Sequence, residues 1–217
     1  MMKTAFLTAF CLAGAAAPAM GAALSKDAEV DIYNIARCAV AKDHDAAAAT
    51  VRRLPLTGDE ATVEPAWLGN GAGCVKSAAL AGPAVVLRGA LAQALYFRDF
   101  KEFGVRPRMA PALLADMGLP PVNDGVDTSK PDVALARFGD CLARNVPEDT
   151  DKLLQSPVDS PLERSAIARI QPYFAGCYPK NARFNASRST LRGLLALSAY
   201  SASTRYWRGE IVANGTR

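Results

Sequence analysis

A single histidine in 217 residues is the first limit this sequence sets. A histidine-based catalytic triad could use only His44, in Lys42-Asp43-His44-Asp45 at a helix start, where a solvated turn residue is the simpler reading. The chain also lacks a G-x-S-x-G elbow, an H-E-x-x-H pair, a P-loop and a dinucleotide fingerprint, which removes the common local signatures of enzymes. No two cysteines stand in C-x-x-C spacing, so neither a metal nor another cofactor is expected. Charge of one sign is scarce as well. Twenty-five basic against 21 acidic residues give +4, and the basic residues form no run, which argues against a nucleic-acid partner. After the N-terminus no apolar run reaches the roughly 20 residues of a membrane span. Aromatics make up only 7% of the chain, and much of its apolar content is alanine. Alanine is the best helix former, so close-packed helices are expected rather than sheet.

The N-terminus is expected to be a secretory leader. Lys3 supplies a positive start, Thr4 to Ala16 is largely apolar, and small residues between Ala17 and Ala23 offer cleavage sites. Cys11 lies in the middle of the apolar run behind Phe10, which does not fit a lipoprotein signal. Its removal leaves four cysteines of five, and an even number in an exported chain implies disulfides.

Those four cysteines mark an internal repeat. Cys38 and Cys74 are 74 − 38 = 36 apart, as are Cys141 and Cys177 (177 − 141 = 36). The segment Leu87 to Tyr96 matches Leu191 to Tyr200 at six of ten positions, among them Leu-Arg-Gly at 87–89 and 191–193. Self-similarity at a nearly fixed offset makes the repeat the unit of structure. It favours the local pairings Cys38–Cys74 and Cys141–Cys177, although pairings swapped between the halves would respect the same symmetry. The expected organisation is a leader over 1–22, helical repeats over 23–103 and 132–203, a proline- and glycine-rich linker over 104–131 and a tail over 204–217. The fold class is all-α: two disulfide-stapled helical repeats packed as a pseudo-twofold pair.

Each unit reads as four helices. The first carries Ile32, Ile35, Cys38 and Ala39, or Leu135, Phe138, Cys141 and Leu142, at helical spacing. A short second helix stops at Pro55 or Pro157. A third opens behind Thr57-Gly58-Asp59-Glu60 or Ser160-Pro161-Leu162-Glu163, both of capping-box form, and is expected to end at a left-handed glycine, Gly73 or Gly176. Glu60 and Glu163 correspond, and mutual capping is the favoured role for both. The fourth and longest helix holds Leu-Arg-Gly. Gly89 and Gly193 cost about 1 kcal/mol each among good helix formers, so close approach of another helix is expected there. Arg88 and Arg192 are read as structural arginines that bond carbonyls or a carboxylate, and these four residues form the candidate interface between repeats. The linker holds one short helical candidate, Ala112 to Met117.

The frame Cys38…Cys74…Leu87-Arg88-Gly89…Tyr96, repeated as Cys141…Cys177…Leu191-Arg192-Gly193…Tyr200, resembles a group of secreted tandem-repeat proteins of alphaproteobacteria, chiefly sphingomonad-type. The resemblance runs from about Val30 to Tyr200 and implies architecture and export, with no assigned activity and no functional residue. Two classes of function remain. One is a non-catalytic exported module, periplasmic or extracellular, whose partner is an envelope protein or a second copy of the chain. The other is a hydrolase of the cell envelope working through carboxylates such as Glu60 and Glu163.

Overall fold

A computed structural model describes residues 24–58, 61–76, 79–100, 127–179 and 186–207. The leader, the linker candidate Ala112 to Met117 and Glu60 lie outside these residues.

Helix α1 (Lys26–Lys42) starts where the Ser25 side chain accepts from the Ala28 amide, and Asp27 and Glu29 sit in its positive first turn. Ile32, Tyr33, Ala36, Ala39 and Val40 recur at helical spacing and form its buried face. Asp43, in an extended conformation, ends α1 and caps α2 (His44–Arg53) through the Ala46 amide. Proline at position 55 stops α2 as expected.

The third element of the first half is a correction. Among the described residues no α-helix lies between Thr57 and Pro83. Instead β1 (Ala61–Val63) pairs antiparallel with β2 (Leu80–Gly82), Ala61 opposite Gly82 and Val63 opposite Leu80. Between the strands runs a 3-10 segment, Pro65–Cys74. The local sequence explains the change. Thr62 and Val63 are β-branched, and glycines at 69, 71 and 73 deplete the helix propensity of the following turns. The fold is therefore mostly helical, with one small sheet. Gly73 and Gly176 are not left-handed either; among the described residues the glycines of positive φ are Gly58 (126°) and Gly69 (53°). At Gly69 that conformation brings the chain against Asp43, where a Cβ would stand 2.3 Å from Oδ2, and Asp43 accepts from the Asn70 amide at 3.0 Å.

Helix α3 (Ala84–Phe100) closes the first half and is buried on nearly every side, as the middle of a helical domain must be. The second half contains α4 (Pro131–Asn145), α5 (Pro147–Gln155), α6 (Pro161–Ile170), a 3-10 turn at Gln171–Tyr173, α7 (Phe174–Cys177) and α8 (Arg188–Trp207). The first three have proline in the first turn, where its missing N–H costs no helical bond. Helix α8 continues through Trp207, so the tail expected from Thr204 begins as helix.

α1 and α2 pack on α3 as α4 and α5 pack on α8, and the most extensive packing among the described elements is α3 against α8. The main core cluster draws on both halves, with Leu95, Leu135, Leu142 and Leu195 fully buried. Each disulfide stays within its half. Cys38–Cys74 (S–S 2.00 Å) ties α1 to the 3-10 segment, and Cys141–Cys177 (2.07 Å) ties α4 to α7. The chain-entropy effect of closing each loop is worth about 3–4 kcal/mol. Among the described residues no helix is long and apolar enough to cross a membrane.

Candidate functional site

The α3–α8 crossing is built on the two glycines of Leu-Arg-Gly. A Cβ placed on Gly89 would lie 2.2 Å from the Gly193 Cα, and one on Gly193 would lie 2.5 Å from the Val85 carbonyl oxygen. Backbone meets backbone there, which leaves no room for a side chain from either helix. Gly139 of α4 repeats the device more loosely, with a Cβ 3.1 Å from Leu194 Cβ.

Beside that crossing lies a buried ionic cluster. Arg192 is 1% exposed, and its guanidinium donates to Gln93 Oε1 (3.1 Å), Glu163 Oε1 (2.9 Å) and the carbonyls of Leu154 (3.0 Å) and Ser156 (2.8 Å). The Tyr33 ring covers it, with its centroid 5.0 Å from the guanidinium carbon. Arg188 donates to Glu163 Oε2 at 2.7 Å and to both oxygens of Glu29. Glu163 also accepts from the Asp159 amide at 2.6 Å while the Ser160 hydroxyl accepts from the Glu163 amide, so its capping role and its ion pairs coexist. Two fully buried carboxylates thus face two guanidinium groups, and the cluster is formally neutral. Burial raises the Glu29 pKa more than the Arg188 charge lowers it. Burial would lower the Arg188 pKa, but Glu29 and Glu163 outweigh it and raise it.

The two arginines of the repeat differ. Arg88 is half-buried, its Nε makes no hydrogen bond, and burial lowers its pKa. Arg192 bonds a carboxylate and carbonyls, the role expected of both. Glu29 and Arg188 were not picked out by the sequence reading. Glu29 carried a signal, because it precedes Ile32, Tyr33 and Ala36 on the apolar face of α1, where an unpaired carboxylate would be costly. Arg188, in Ser187-Arg188-Ser189-Thr190, carried none.

In front of the cluster a cleft of about 930 Å³ opens between the halves. Val30, Tyr33, Asn34 and Arg37 line one side from a single stripe of α1, and Tyr96, Phe97 and Phe100 supply an aromatic wall from α3. The end of α5 and the turn behind it, from Asp151 to Val158, form the opposite side. Asp151 is the one carboxylate among the described lining residues, and it accepts from Tyr96 Oη at 3.4 Å and from the Gln155 amide. Glu163 lies behind Arg192 and outside the cleft lining.

His44 departs from the solvated residue expected. Its Nε2 lies 3.0 Å from Asp99 Oδ2 on α3 and its Nδ1 2.9 Å from Asp45 Oδ1, and its side chain is 31% exposed. Burial lowers its pKa, the bonds to Asp99 and Asp45 raise it, and the net shift is upward. The described residues contain no group of three His, Cys, Asp or Glu side chains placed to hold a metal ion. Compared with family models, with curated proteins and with solved structures, the chain matches none.

Proposed function

We propose that this protein is a non-catalytic exported module, periplasmic or extracellular, whose two disulfide-stapled repeats pack as a pseudo-twofold pair and bind a partner in the cleft between them. The observation that carries the reading is the contrast between cleft and cluster. The cleft has the volume and the mixed aromatic and polar lining of a binding site. The charged groups beside it are spent on one another. A carboxylate hydrolase would need an acid or base presented to substrate, and Glu163 has both oxygens bonded to arginines. The symmetric packing is supported by the matching placement of α1 and α2 on α3 and of α4 and α5 on α8. Export is supported by the two disulfides, which persist in oxidising compartments.

The test is a pull-down from the organism's own cell envelope with two baits, the mature protein and Ala94→Trp. Ala94 is buried against the cleft, and an indole there would occupy it. A partner retained by the first bait and lost with the second supports the reading. Capture of the same proteins and small molecules by both baits, or of none, overturns it.

A further inference from the structure

Resting on the cleft as a binding site, we propose that its ligand is an amphiphilic carboxylate: an apolar acyl or aryl body with one anionic end. Three observations carry this. The first is the aromatic wall of Tyr96, Phe97 and Phe100, which continues into a second apolar cluster with Leu154, Ala196 and Ala199. That surface takes an apolar body.

The second is Tyr33. It is 6% exposed, it lines the cleft, and its Oη is buried without a hydrogen-bond partner. Leaving a buried hydroxyl unbonded is costly, and phenylalanine would fill the same space without that cost. The Arg192 guanidinium lies over the ring, 5.0 Å from its centroid, and the hydroxyl has a donor to offer. Because Arg192, Gln93 and Asp151 already have partners, Tyr33 is the polar group at the base of the cleft with unused capacity.

The third is Arg37, one helical turn along the same face of α1 and exposed on the cleft lining. Its guanidinium donates to Asn34 Oδ1 and makes no ion pair among the described residues. A phenol that needs an acceptor and an unpaired cation one turn away favour a ligand that brings oxygen acceptors and negative charge. A cationic amphiphile would meet Arg37 with like charge, and a neutral alcohol would leave that charge unanswered.

The experiment is calorimetric titration of the full protein with dodecanoate below its micelle concentration, beside 1-dodecanol and dodecyltrimethylammonium. The variants are Tyr33→Phe, Arg37→Gln and Ala94→Trp. Saturable binding of dodecanoate that is abolished in Ala94→Trp and weakened about tenfold in both Tyr33→Phe and Arg37→Gln supports the proposal. Arg37 is exposed, so its variant retains the fold and keeps the test decisive even if Tyr33→Phe alters packing. Binding of the alcohol or the ammonium as tight as that of the carboxylate overturns the proposed class, as does dodecanoate binding unchanged in Arg37→Gln. No binding of any probe also overturns it, while the envelope pull-down with Ala94→Trp independently decides whether the cleft binds a partner at all.

Discussion

Gly89→Ala is a one-carbon change with a consequence that can be worked from the backbone. The new Cβ would stand 2.2 Å from the Gly193 Cα, 2.7 Å from its carbonyl oxygen and 2.8 Å from its carbonyl carbon. Ordinary carbon–carbon contact begins at 3.4 Å, so α3 and α8 must separate by about 3.4 − 2.2 = 1.2 Å at the crossing. The obstacle is main chain within a helix, so no side-chain rotation can relieve it. A gap of about 1 Å forfeits a quarter to a half of each dispersion contact it opens. Overpacking of this kind costs about 1–3 kcal/mol, and contact with backbone places it at the upper end. Alanine regains about 1 kcal/mol of helix propensity, which leaves a net loss of about 2 kcal/mol. For a chain of this size that lowers the thermal midpoint by about 4–8 °C. Thermal melts of Gly89→Ala and Gly193→Ala check it, with Gly176→Ala as control, since a Cβ on Gly176 meets nothing within 4 Å. Midpoints at or above the parent protein in both interface variants would refute the reasoning, because exposed helical glycines gain stability on replacement.

Arg192→Met would take from buried Glu163 one of its two arginines and from the Leu154 and Ser156 carbonyls their guanidinium donor, and is expected to cost about 3–5 kcal/mol in denaturant unfolding, with no rescue by lysine. Replacing Cys141 and Cys177 with serine should cost about 2–4 kcal/mol, and non-reducing peptide maps of the parent protein should contain no bridge between the halves. The His44 pKa is raised above its ordinary 6.5 in the folded state, so its stabilising contribution is full below that value and lost as pH rises through the higher folded value. His44→Asn should therefore lose about 0.5–1 kcal/mol relative to the parent at about pH 5, a gap that closes by about pH 9 in parallel urea titrations.

The parts of this fold that were legible in the sequence are those fixed by covalent spacing or by residues with one dominant use. Equal cysteine intervals favoured disulfides within each half, and a costly glycine kept in two long helices pointed to a close crossing. Ser160 to Glu163 read correctly as a helix start because its cap bonds are local. Thr57 to Glu60 has the same capping-box form but precedes a β-branched pair and a glycine-rich run, and the downstream segment prefers strand and 3-10 turns. A capping box does not survive a continuation that disfavours helix. The site was less legible than the fold. Arg192 could be assigned a structural role, yet its cleft neighbours Tyr33 and Gln93 come from another half and were identified only by packing. The halves also diverge where they would need to match, since Arg188 aligns with Ala84 and Glu29 with Asp132, which is exposed.

The ion pair between Glu29 and Arg188 closes across 159 residues, the longest span among the side-chain bonds of the described residues. Helix α1 by itself would bury the Glu29 carboxylate without a cation, and only the docking of α8 supplies one. The last helix therefore acts as a latch on the first. The first half separated from α8 would keep its disulfide but lose the partner of a buried charge, so the two disulfide-closed halves are not independent in stability.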